Sequence, residues 1–161
     1  MNISPLLALL PAAVLLYIVY RDLRDLRIPD WSVGLLFLLF AVGQAPDLWA
    51  VPLAWRVVVA LAVFGICFVL FAAHLLGGGD VKLLPVVLLY VPAERLAWYF
   101  LTLSVCVIVT FSVIRLVRRA DLNWQWRGLS DNARYPLGPA IALAALVYTF
   151  LGQTVETILA G

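Results

Sequence analysis

Charge is what this sequence most lacks: Asp, Glu, Lys and Arg make up 12% of its 161 residues, while 65% are apolar. A soluble domain of that length needs far more polar surface to cover its core, so the balance excludes one. Ligand-type side chains are also few. There is one histidine, His74, and two cysteines, Cys67 and Cys106, that form no Cys-x-x-Cys pair. Neither a zinc site nor a disulfide framework is signalled, and no metal or cofactor is expected. Each cysteine sits inside an apolar run and reads as a small core residue. The first apolar run, 3–20, lacks the basic start and small-residue cleavage site of a secretory signal, because its basic cluster follows it. It reads as a retained helix. The net charge of +2 gives no argument for nucleic acid, and no such partner is expected.

What is present is a succession of six apolar segments, at 3–20, 31–45, 53–73, 81–91, 96–117 and 139–159. Crossing a bilayer as a helix takes roughly 20 apolar residues. The first, third, fifth and sixth segments approach that length; the second is short and the fourth shorter still. The expected fold is all-α: one polytopic domain over 1–161 with six transmembrane helices. The glycine-rich stretch before segment four has the composition to dip below the surface as non-helical backbone, packed beside other helices. Nine of the eleven basic residues fall in the turns after segments one, three and five, and only Arg56 and Arg95 lie on the other side. Basic turns are cytoplasmic, so both termini are expected outside. All six tryptophans stand at segment ends or in turns, where indole rings favour the interface. The connection 120–135, with Trp124, Trp126 and Leu129 among polar residues, is suited to lying along the membrane surface.

Two acidic residues stand where acid is expensive. Asp22 directly follows the first segment, and Asp80 lies between two apolar segments in Gly77-Gly78-Gly79-Asp80-Val81-Lys82. Both belong to cytoplasmic ends, so folding can bring them to one depth. Ionisable groups near the membrane core are functional candidates. An isolated Asp22 among arginines would more simply be a solvated interfacial charge. The three glycines alter the balance for Asp80, because they permit unusual backbone angles and close approach of a helix or extended peptide. Taken alone, they also describe a flexible turn.

Together the two clusters are more specific. Asp22, five residues, then Ile28-Pro29-Asp30, and later Gly77-Gly78-Gly79-Asp80-Val81-Lys82, resemble the type IV prepilin peptidase family. That family pairs an Asp before an Ile-Pro-Asn step with a Gly-x-Gly-Asp-x-Lys at its fourth helix. The start of the last segment, Tyr135-Pro136-Leu137-Gly138-Pro139, adds a weaker likeness. The resemblance implies a bacterial inner-membrane aspartyl endopeptidase with Asp22 and Asp80 as its catalytic pair. Its substrates would be prepilins and pseudopilins, cut at the cytoplasmic face after a short basic leader.

Only Asp22 has the family's spacing to the Ile-Pro step; Asp25, one turn on, reads as a partner for neighbouring arginines. Asp30 replaces the usual Asn and is expected to cap the second helix. Lys82 either biases the ionisation of Asp80 or snorkels to water as an interfacial anchor. Asp25, Asp30, Asp121 and Asp131 either attract a basic leader or are ordinary loop charges. No cysteine-bearing insertion is present, so the likeness is to the compact Flp/Tad-type enzyme, which implies cleavage without methylation. Two other readings share the same residues: a Gly-x-Gly-Asp protease with another substrate, and a carrier that binds protons or cations on the two aspartates.

Overall fold

The computed structural model describes residues 5–44, 51–119 and 136–159, and among these it contains six α-helices. They are α1 (Pro5–Asp25), α2 (Asp30–Gln44), α3 (Val51–Ala72), α4 (Gly78–Leu89), α5 (Leu96–Arg119) and α6 (Gly138–Leu159). A short 3₁₀ turn, Ala93–Arg95, leads into α5. The six apolar segments thus correspond to six helices with shifts of a few residues at their ends. Two shifts matter. Helix α1 continues past its apolar run, so Asp22 is part of the helix. Helix α4 starts at Gly78, so Gly78 and Gly79 are helical instead of forming a non-helical dip.

Helices α3 and α5 are long and apolar enough to cross a membrane. Their outer faces carry exposed large apolar side chains, among them Leu61, Val69, Val105, Ile108 and Leu116. Such faces suit lipid. Helix α4 is different. Twelve residues rise only about 18 Å, well short of a hydrocarbon core of roughly 30 Å. It is enclosed instead by α2, α3 and α6, and buries Val81, Leu83, Pro85, Val87, Leu88 and Leu89. Its apolar residues are therefore covered by neighbouring helices.

The main core joins Leu15 and Ile18 of α1, Val33 and Leu36 of α2, Leu83, Val87 and Leu88 of α4, Tyr99 of α5 and Ile141 of α6. Ala140, Ala142, Ala144 and Ala145 of α6 are buried too. Small side chains let backbones approach closely, and α6 accordingly packs on α1, α4 and α5.

Helix α3 ends in a Schellman motif: the N–H of Leu75 donates to the Leu70 carbonyl and that of His74 to Phe71, both at 2.9 Å. His74 takes the left-handed position, φ 59°, that glycine usually fills there. It is an exposed residue at a helix end, in keeping with an interfacial polar role. Cys67 is buried and Cys106 half-buried, as expected of core residues. The interfacial helix expected over 120–135, with its tryptophans, Asp121 and Asp131, lies outside the described residues.

Candidate active site

Three helix ends meet at one place: the C-terminal end of α1 and the N-terminal ends of α4 and α6. On α1 the buried positions Ala12, Leu15, Ile18 and Asp22 follow helical spacing. Asp22 is the last of that stripe and only 5% exposed. Its carboxylate accepts a hydrogen bond from the backbone N–H of Gly138, the first residue of α6. First-turn amides of a helix lack internal partners, and the helix dipole favours an anion there.

Asp80 is the third residue of α4, whose N-cap is Gly77. Its carboxylate accepts from the Gly77 N–H, the arrangement by which an acidic third residue caps its own helix. Leu83, Leu84 and Val87, three, four and seven residues on, share its helix face and pack in or against the core. Asp80 therefore heads the inward stripe of α4.

Ile28 joins the two halves. A methyl group on Gly79 would stand 2.9 Å from Ile28 Cβ, 3.1 Å from Cγ1 and 3.2 Å from Cδ1. A methyl group on Gly138 would stand 2.7 Å from Asp22 Oδ2 and 2.8 Å from the same Ile28 Cδ1. One isoleucine side chain thus fills the contact between the start of α4 and the start of α6. The glycines matter here through the missing Cβ. No described glycine has a positive φ, so the unusual backbone angles that they permit are not used.

The electrostatics follow from this enclosure. Asp22 and Asp80 both lie outside the apolar segments 3–20 and 81–91. Burial raises the Asp22 pKa to about 6, against the opposing Gly138 amide. Burial raises that of Asp80 to about 7, and the nearby charge of Asp22 pushes the same way, against the Gly77 amide. Asp22 Oδ2 is buried with no hydrogen-bond partner of good geometry among the described residues. Two carboxyls that repel each other in a poorly hydrated site titrate as a pair, and between their two steps the singly protonated form is favoured. A proton donor beside a proton acceptor is the arrangement required for general acid–base work.

The remaining candidates take other places. Residues two apart on a helix point in nearly opposite directions, and Lys82 accordingly turns away from Asp80. Its Nζ donates to Asp30 Oδ1 at 2.8 Å. On that side of α4, Lys82, Pro85, Val86 and Leu89 line an apolar groove of about 610 Å³ between α2, α3 and α4. Asp30 is the first residue of α2 itself, not the flanking cap that was expected. Its carboxylate goes to Lys82, and the Ser32 hydroxyl bonds the Pro29 carbonyl at 2.6 Å. Asp25 pairs with Arg21 at 2.8 Å and is close to Arg24, as the arginine-rich context suggests. Asp25 and Asp30 are thus both already matched by cations.

Two positions gain importance from the fold. Gly138 touches Asp22; its only signal in the sequence is a glycine among prolines at a helix start. Cys67 of α3 comes within electrostatic reach of Asp80, which nothing in its apolar run indicates.

A family model, that of the type IV leader peptidase family, matches residues 9–114. The matched stretch contains Asp22, Ile28, Pro29 and Asp30, and the run Gly77–Lys82. No curated protein and no solved structure matches the chain. A match over that much of the sequence is decisive: the chain belongs to the type IV leader peptidase family, membrane proteins that are aspartic-type prepilin peptidases.

Proposed function

We propose that Asp22 and Asp80 are the catalytic pair, and that the protein removes the short basic leader of Flp-type prepilins and pseudopilins at the cytoplasmic face of a bacterial inner membrane. Family membership supports prepilin cleavage in general. The observation that carries the residue assignment is the meeting of a buried carboxyl, Asp22, and a half-buried one, Asp80, from chain positions far apart, at the joined ends of α1, α4 and α6. The basic turns Arg21, Arg24, Arg27 and Arg115–Arg119 on that side support the cytoplasmic placement, six spans and termini outside.

The chemistry is acid–base hydrolysis. The ionised carboxyl takes a proton from a water, whose oxygen bonds to the scissile carbonyl carbon. The protonated carboxyl gives its proton to the carbonyl oxygen. Collapse of the tetrahedral intermediate breaks the C–N bond; the proton taken from water passes to the departing amine, and the hydroxyl formed from the carbonyl oxygen returns its proton to the second carboxyl as the C=O bond re-forms. The substrate's leader then leaves with a new carboxyl terminus and the pilin with a free amino terminus. That terminus stays unmethylated, in keeping with the lack of a cysteine-bearing insertion.

Co-expression with a Flp-type prepilin tests the assignment. Wild type shortens the prepilin, while Asp22→Asn and Asp80→Asn each leave it full-length at normal membrane levels. Asp25→Asn shortens it as wild type does. Cleavage retained by either of the first two variants would remove that residue from the pair. The mass of the mature pilin reports the cut position and any methyl group.

A further inference from the structure

The geometry points to Ile28 as a positioning residue: its side chain, wedged between the starts of α4 and α6, sets the separation of the two carboxyl groups and keeps bulk water from both. This rests on the reading of Asp22 and Asp80 as the catalytic pair.

Ile28 follows α1 by three residues and precedes α2 by two, in the short link that Pro29 stiffens. A link so brief fixes where its side chains can go. The Ile28 side chain is half-buried and packs against the main core. Its Cβ, Cγ1 and Cδ1 all bear on Gly79, the residue before Asp80, and Cδ1 also bears on Gly138, which touches Asp22. A β-branched side chain with restricted rotamers is a stiff spacer. Neither glycine could carry even one more carbon without moving it. Both carboxyls owe their poor hydration to burial, and Ile28 is the apolar side chain in contact with the glycine beside each. The ionisable groups within reach are Asp22, Asp80 and, from α3, Cys67. Lys82, Asp30, Arg21 and Asp25 are engaged in ion pairs of their own.

The test uses Ile28→Ala and Ile28→Val in the full-length protein, with prepilin cleavage followed against pH in detergent or proteoliposomes. Ile28→Ala admits water beside both carboxyls. It is expected to shift the whole pH–rate profile acidward by about one unit or more and to lower kcat by about 100-fold, with KM little changed. Ile28→Val keeps Cβ and Cγ1 against Gly79 but loses the Cδ1 that bears on Gly138, and is expected to shift the profile the same way by a smaller amount. A fall in amplitude with an unmoved profile is the signature of mere destabilisation and would overturn the proposal.

A second arm is steric. The three nearest atoms to a Gly79 methyl all belong to Ile28, so Ile28→Ala should cost much less activity in a Gly79→Ala background than alone. Its cost should not be so relieved in Gly138→Ala, whose clash with Asp22 remains. Equal relief in both backgrounds, or in neither, goes against the wedge. If Asp22→Asn or Asp80→Asn still cleaves, it is the catalytic assignment that fails. If both are inactive while Ile28→Ala keeps the wild-type profile, only the wedge fails.

Discussion

Replacing Gly138 by alanine adds one methyl group to the start of α6 and places it 2.7 Å from Asp22 Oδ2, 3.1 Å from Asp22 Cγ and 2.8 Å from Ile28 Cδ1. Ordinary van der Waals contact begins near 3.4 Å, so the carboxyl must retreat by about 0.7 Å. It cannot rotate freely, because the Asp22 side chain is 5% exposed. Misplacing a reacting group by about 1 Å can cost about 100-fold in rate. The expected loss in kcat is therefore between about 30- and 100-fold. Stability should fall by at most about 2–3 kcal/mol, which normalisation to folded enzyme removes from the rate. Overpacking costs about 1–3 kcal/mol, and alanine regains up to about 1 kcal/mol of helix propensity over glycine. The assay is prepilin cleavage in proteoliposomes, normalised to folded enzyme in the membrane, beside a thermal melt in detergent. A Gly138→Ala enzyme that cleaves at the wild-type rate would show that the start of α6 does not set the position of Asp22.

The cleavage rate should trace a bell with its maximum between pH about 6 and about 7, the raised values of Asp22 and Asp80. Below that window both carboxyls are protonated and no base is left; above it both are ionised and no acid is left. A rate that stays flat from pH 4 to 9 would contradict a shared proton. The Lys82–Asp30 pair is exposed, and exposed pairs contribute about 1 kcal/mol or less. Lys82→Met or Asp30→Asn should accordingly change cleavage by no more than about 5-fold, and a complete loss would assign the pair a direct role. His74→Gly relieves a left-handed backbone worth about 1 kcal/mol, and should raise the melting temperature by about 2–4 °C with cleavage unchanged.

The helices were legible in the sequence because lipid demands long apolar runs and the charged clusters punctuate them. The ends were less so, for a definite reason. Hydropathy marks where a chain enters polar surroundings, not where its hydrogen bonding stops. Helix α1 therefore runs five residues beyond its apolar run, through Arg21 and Asp22. The same limit hid the start of α4: glycine-rich sequence reads as loop, but Gly78 and Gly79 are held in helix by the capping carboxylate of Asp80. The two aspartates were readable as candidates from their cost in a membrane and from their spacing to Ile-Pro and to the glycines. The turning away of Lys82 was also implicit, since two residues on a helix span more than half a turn. Gly138 and the wedge of Ile28 were not readable, because contacts between residues 79, 28 and 138 exist only once three helix ends are brought together.

Asp80 holds the beginning of α4 through the Gly77 amide with the same carboxyl that the proposed mechanism asks to exchange a proton. Chemistry and anchorage therefore draw on one pair of oxygens. A proton arriving on Asp80 weakens the tether of the glycine run, and its departure tightens it again, so under the proposed mechanism the start of α4 is coupled to the reaction cycle. The two aspartates should then differ in what they tolerate: asparagine at 80 silences the enzyme yet still ties down the helix, whereas alanine there also lets the helix start unravel.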